Sequence, residues 1–221
     1  MSSQQLEFIE KIGPIIQKYA KQYGYQVCSP IIAQACLESA YGKSGLAKYH
    51  NYFGMKAGKS WTGKKIRLKT KEEYQKGVLT EIYDDFRCYN NMSDGVKGYF
   101  DFISTQRYAN LKTSTTPEQY LNFIKADGYA TSSTYVTNCM RVVTQNKLNI
   151  YDKPVELLTA NYNAKVTATQ LNVRDTYSET GNVLFKIPKN MIVRVVQESD
   201  NGWARLGDIT GWVSTSFLRK L

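Results

Sequence analysis

Near Tyr151 the chain changes the period of its hydrophobic pattern, and few single folds accommodate both halves. On the N-terminal side, Leu6, Ile9, Ile12, Ile15, Ile16 and Tyr19 recur at the spacing of an amphipathic helix, with Pro14 a local complication. Further helical patterns fall near 93–106, 117–126 and 133–146. Residues 60–90 hold short alternating runs with Gly63 and Gly77, which predict a β-hairpin or a long loop over the helical body. On the C-terminal side, AKVTA, LNVR, NVLFKI, MIVRVV, GWARL and TGWVS predict six short strands forming a small barrel. The expected fold class is therefore α+β. A mainly helical domain with a hairpin spans 1–150, a linker (YDKPVELLTANYN) spans 151–163, and a small all-β domain spans 164–221. A length of 221 residues suits two such domains.

A net charge of +10 favours an anionic partner, and nucleic acid, anionic membrane and bacterial wall polymers all qualify. Residues 1–153 carry 21 basic against 13 acidic side chains. Lys56, Lys59, Lys64, Lys65, Arg67, Lys69, Lys71 and Lys76 crowd around the hairpin, either as a solvated face or as a binding surface. No nucleic-acid recognition motif accompanies them, and they do not fall on one periodic face, so nucleic acid is not expected. No apolar run approaches the length of a membrane span, and MSSQQLEFIEKIG does not read as a signal peptide. Cys28, Cys36, Cys88 and Cys139 form no C-x-x-C pair, and His50 is the sole histidine, so neither a metal nor another cofactor is expected. Buried free thiols suit a reducing compartment.

The segment Pro30–Tyr41, PIIAQACLESAY, is predicted to be a helix with Ser29 as N-cap, Pro30 in the first turn and Gly42 at its close. Ile32, Ala33, Cys36, Leu37 and Ala40 spread around nearly its whole circumference, the mark of a buried helix. Its only ionisable side chain is Glu38, stacked beside Ile31 and Ala35. Burying an ionised carboxylate without a partner costs several kcal/mol. Either Glu38 pairs with one of the many basic residues, or it keeps its proton at neutral pH, as a glycosidase general acid must. Periodicity leaves both readings open.

The runs AQACLESAYGKSGLA (33–47) and NYFGMKAG (51–58) resemble glycoside hydrolase family 73, the peptidoglycan N-acetylglucosaminidases of lysozyme-like fold, and the resemblance covers about 5–150. It implies that Glu38 is the catalytic acid and that Asn51, Phe53 and Gly54 line the glycan cleft. KEEYQKG (71–77) followed by FRCY (86–89) implies a second carboxylate at Glu73, with Glu72 the alternative if the register is off by one. RYANL (107–111) and DGYAT (127–131) extend the match, implying an active-site tyrosine at Tyr129. Trp61, in the polar loop GKSWTGKK, is expected to be a sugar platform. Tyr41, Tyr52, Tyr99 and Tyr108 either stack on sugars or belong to the core, and His50 is expected to be structural.

Residues 164–221 resemble the bacterial SH3-like domain through Leu171-Asn172-Val173-Arg174, Gly202-Trp203 and Gly211-Trp212-Val213. That resemblance implies a core of Val173, Val193, Val195 and Leu206, while Asn172, Tyr177, Trp203 and Trp212 are candidates either for wall binding at the surface or for packing in the core. The expected protein is a monomeric peptidoglycan hydrolase that cuts the GlcNAc-β-1,4-MurNAc bond and is tethered to wall peptide by its C-terminal domain. A muramidase or lytic transglycosylase on the same scaffold, or a catalytically inert wall-binding protein, are the rival readings. The expected setting is synthesis in the bacterial cytoplasm and release at lysis, as for a phage endolysin, with a secreted autolysin as the alternative.

Overall fold

The computed structural model describes residues 2–75, 78–153, 157–177 and 181–221, and over 71–75 and 78–79 the backbone alone. Two compact units result, Met1–Asp152 and Lys153–Leu221, each with its own apolar core.

The first unit is built from α1 (Ser3–Tyr23), α2 (Ser29–Glu38), the hairpin β1 (Lys65–Gln75) and β2 (Val78–Arg87), then α3 (Met92–Ile103), α4 (Pro117–Ala126) and α5 (Tyr135–Gln145). A capping box between Ser2 and Gln5 starts α1, and Gly24 at φ 79° ends it. Pro14 lies inside that helix without ending it, and Ile9, Ile12, Ile15, Ile16 and Tyr19 form its buried stripe. Every residue of α2 from Ser29 to Cys36 is buried, so the helix is enclosed as its composition demands. It departs from expectation at both ends. Leu37 is 42% exposed, and the helix stops at Glu38 rather than at Tyr41. Ser29 is not the capping side chain either. Asp152 caps the helix from across the domain, its carboxylate accepting from Cys28 N, Ser29 N and Ser29 Oγ, each at 2.7 Å. A local sequence pattern cannot reveal a cap 123 residues away.

The hairpin is antiparallel, with Lys65 opposite Arg87, Ile66 opposite Phe86 and Glu73 opposite Leu79. Its base is stitched to the helical body by Arg87 N to Met55 O at 3.0 Å, Ala57 N to Asp85 O at 2.7 Å and Tyr89 N to Tyr49 O at 2.9 Å.

The second unit is one antiparallel sheet of seven strands, β3 (Leu157–Val166), β4 (Gln170–Arg174), β5 (Val183–Pro188), β6 (Ile192–Ser199), β7 (Trp203–Leu206), β8 (Trp212–Ser214) and β9 (Leu218–Lys220). Their spatial order is β5-β4-β8-β7-β6-β3-β9. Val173, Val193, Val195 and Leu206 are core residues as expected. Two features differ from the expectation. Residues 157–163, read as linker, are the first part of β3 and pair with β6 from Leu157 opposite Ser199 onward. Most of them are exposed, so they carry no apolar alternation to read. The last strand, Leu218–Lys220, is a three-residue edge too short to show a period.

Candidate active site

Glu38 is the last residue of α2, and the chain leaves it sharply. Ala40, Tyr41 and Gly42 follow with φ of 49°, 55° and 79°. The first two are left-handed residues carrying a Cβ, each at a cost of about 1–2 kcal/mol. Hydrogen bonds hold them there, from Tyr41 N to Cys36 O at 2.8 Å, Ser39 Oγ to Ala35 O at 2.6 Å and Gly42 N to Ser39 Oγ at 2.8 Å. Backbone strain held this firmly is characteristic of functional sites.

The Glu38 side chain reaches solvent at the helix end, and among the described residues it has no hydrogen-bond or ion-pair partner. The protein packed round its carboxyl removes part of its hydration and raises its pKa above the usual glutamate value. The negative end of the helix dipole acts in the same direction. Beside the carboxyl stands Gly54, at φ 65°, where an added Cβ would lie 3.4 Å from Glu38 Oε2. Glycine here both permits the turn and leaves the carboxyl its space.

The other candidates form the frame of this site more often than its lining. Asn51 and Phe53 are not exposed to a glycan, being 1% and 3% exposed. Asn51 staples the Gly54 turn, donating from Nδ2 to Met55 O and Arg87 O at 2.9 Å each and accepting from Met55 N at 2.8 Å. The Phe53 ring stacks on Tyr99, centroids 4.0 Å apart at 14°. Tyr129 is half-buried and donates to Phe53 O at 3.0 Å, so it holds the residue next to Gly54. Burial, with the Glu38 charge adding to it, pushes the Tyr129 phenol well above its ordinary pKa and keeps it a neutral donor.

Tyr108 is also a correction: at 2% exposure it packs against Phe102 in the core, as do the fully buried Tyr99 and nearly buried Tyr52. Trp61 is half-buried, with the Arg87 guanidinium 4.8 Å from its ring centroid and its Nε1 donating to Lys64 O at 3.0 Å. Arg87 thus covers part of the ring. His50 has the structural part expected, its Nδ1 3.0 Å from Tyr52 Oη. Glu73 and Glu72 lie on the paired backbone of β1, while their side chains fall outside the described residues.

Two residues near Glu38 escaped the sequence reading. Gln34 lies one helical turn before it on the same face of α2, and its amide donates to Tyr135 Oη at 2.6 Å. A glutamine at i−4 from the acid in an otherwise apolar helix was the available signal. Tyr135 lay in a recognised helical run, but nothing local distinguished it.

In the second unit, Trp203 and Trp212 are buried, at 8% and 9% exposure, and are corrected from surface candidates to packing residues. Tyr177 is half-buried with its ring edge-on to Trp212 at 5.2 Å, and Asn172 is half-buried on β4. No group of three or more potential metal ligands occurs among the described residues, and no helix among them is long and apolar enough to cross a membrane.

This geometry can be set beside known proteins. Residues 169–219 match the bacterial SH3 domain model. The chain is 32% identical over 146 residues to peptidoglycan hydrolase FlgJ of Pseudomonas aeruginosa, an alignment covering 63% of this chain and 36% of that relative. The chain therefore spans well under two thirds of that relative's length. Among solved structures, a peptidoglycan hydrolase mutant from Sphingomonas sp. A1 matches at TM-score 0.58 and 29% identity, covering 66% of this chain and 96% of that one. The catalytic domain of the autolysin Auto from Listeria monocytogenes matches at TM-score 0.59 and 25% identity, covering 68% and 89%. Residues 13–148, well over half of the chain, match the glucosaminidase model described as mannosyl-glycoprotein endo-beta-N-acetylglucosaminidase, and with the strained turn after Glu38 and the Gly54 wall beside it this places the chain in that glucosaminidase family, glycoside hydrolase family 73.

Proposed function

We propose that the protein is a peptidoglycan hydrolase, an endo-β-N-acetylglucosaminidase that cuts the GlcNAc-β-1,4-MurNAc bond with Glu38 as general acid. One observation carries this: in a chain of this family, the Glu38 carboxyl has no charged partner among the described residues and, partly stripped of its hydration beside Gly54, is shifted toward its protonated form. Such a group protonates the glycosidic oxygen as the bond to the anomeric carbon breaks. An oxocarbenium-like centre then needs negative charge or a nucleophile on its other side. Glu73 is the family-based candidate, with the substrate's own N-acetyl group as the other. Glu73 is eight positions along β1 from Lys65, roughly 26 Å of extended strand. Curling of the hairpin over the bound glycan would bring it toward the reaction. Tyr129 supports the site as a neutral donor to Phe53 O.

The SH3-like unit would retain the enzyme on wall peptide, with Tyr177 and Asn172 the remaining contact candidates. In the same reading the chain acts as a monomer. It would be made in the cytoplasm and reach the wall on release at lysis, a setting its four free thiols support.

The deciding experiment is identification of the reducing-end sugar of digested peptidoglycan. N-acetylglucosamine at the new reducing end is the expected result. N-acetylmuramic acid would identify a muramidase, 1,6-anhydro-muramic acid a lytic transglycosylase, and no new ends an inert wall-binding protein.

A further inference from the structure

Gln34 is 1% exposed, inside the helix that carries Glu38 and one turn below it. Both ends of its amide are used. The nitrogen donates to Tyr135 Oη at 2.6 Å, while the oxygen accepts from Tyr99 Oη at 2.8 Å. Tyr99 in turn lies 3.0 Å from Tyr120 Oη. From Gln34 two arms run to one place. Through Tyr135, whose ring centroid is 6.3 Å from that of Tyr129, the first reaches the hydrogen bond from Tyr129 to Phe53 O. Through Tyr99, the second reaches the Phe53 ring stacked on it at 4.0 Å. The residue after Phe53 is Gly54, where an added Cβ would lie 3.4 Å from Glu38 Oε2.

We propose that Gln34 is a positioning residue for Glu38, its amide tying together two tyrosine arms that hold the Phe53–Gly54 segment in place beside the carboxyl. This deepens the reading of Glu38 as the acid and rests on it. A leucine at position 34 would take the Gln34 partner from the Tyr135 hydroxyl and leave Tyr99 with Tyr120 alone, and a buried polar group that loses a partner favours rearrangement. The segment would relax away from the carboxyl, more of the water already at the helix end would surround it, and Glu38 would lose its proton more readily. Among the described residues, the titratable groups facing Glu38 are Tyr129, Tyr135 and Cys139, all pushed upward by burial, Cys139 to about 12. They stay neutral while Glu38 titrates, so a change in that titration reports the segment itself.

The test uses the full chain with 13C-labelled glutamate, following the Glu38 carboxyl by NMR in wild type, Gln34→Leu, Tyr135→Phe and the control Tyr120→Phe. The expected result is a downward shift of the Glu38 titration in the first two variants and none in the control. In parallel, kcat on peptidoglycan falls in the first two, on the order of 10²-fold for Gln34→Leu, with KM little changed. Tyr135→Phe removes a single hydroxyl, so it keeps the test open if Gln34→Leu does not fold. A lowered melting temperature with an unmoved Glu38 titration in either folded variant overturns the proposal and leaves the network a packing feature. Because the titration needs no turnover, failure of the wild type to cut peptidoglycan would count against the proposed function alone.

Discussion

A carboxyl whose pKa is raised by folding destabilises the native state once it ionises, and Glu38 is such a group. The folded chain binds its proton more tightly than the unfolded chain does. The penalty is therefore absent below the unfolded glutamate pKa, grows as pH rises from there, and is complete above the folded pKa. Glu38→Gln, isosteric and uncharged, should raise the melting temperature at neutral pH, and the gain should vanish at low pH. The same variant should lose about 10²–10⁴ in hydrolytic rate, since an amide cannot deliver the proton. Thermal melts at two pH values and a turnover assay check both halves, and wild-type activity would remove Glu38 from the mechanism. The second carboxylate is tested at the same scale. Adjacent positions on an extended strand face opposite ways, so at most one of Glu72 and Glu73 serves the cleft. Glu73→Gln should cut activity by orders of magnitude and Glu72→Gln only slightly. A defect in Glu72→Gln alone moves the role by one residue, and little effect from either points to the substrate's N-acetyl group or a transglycosylase route.

Among the elements, α2 is the one on which the site depends, and its N-terminus is held by a residue outside it. Asp152 takes three hydrogen bonds from Cys28 and Ser29, whereas α2 has no side-chain cap of its own. Asp152→Ala should cost about 1–2 kcal/mol, the usual worth of a cap. That is a few degrees in melting temperature for a domain of this size. Differential scanning calorimetry of the full chain measures it, and an unchanged first transition would show that the helix does not need this cap. The dependence also bears on where the first unit ends. Gln17 Nε2 donates to Tyr151 O at 3.0 Å, and the Tyr151 ring covers Gly13. A boundary at 150, read from the change of pattern, would strip away both attachments.

Two units with separate cores imply separable tasks. A chain ending at Asp152 should hydrolyse soluble glycan fragments at close to the full rate and lose most of its activity on intact cell walls. Tethering raises local concentration without touching the chemistry. Equal loss on both substrates would mean that the SH3-like unit contributes to catalysis itself. Charge acts at the same scale. The +10 of the whole chain should make wall lysis more sensitive to salt than hydrolysis of short neutral oligosaccharides, because attraction to an anionic wall is screened over about 8–10 Å near physiological ionic strength. Part of that charge is already paired, through Lys56–Asp84, Lys65–Asp85 and Lys69–Glu81. Identical salt curves for the two substrates would leave the hairpin lysines as a solvated face.

What the sequence determined alone was local. Helical spacing marked α1 and α3 to α5, and the apolar helix with its single acid marked Glu38, because hydrophobic period and a lone carboxylate in an apolar run are properties of neighbouring residues; that Glu38 reaches solvent at the helix end was not legible there. It also marked the change from helical to β texture, and six of the seven strands of the second unit. What only the tertiary structure decided was the use of each polar or aromatic side chain. Asn51, Phe53 and Tyr108 stand in or beside motifs that suggest a glycan surface, yet they are buried, and Trp203 and Trp212 pack likewise. The Asp152 cap, the Gln34 node and the Gly54 wall each join residues distant in the chain. Hydrogen bonding and packing across such distances arise only when the core closes, so they leave no periodic trace in the sequence.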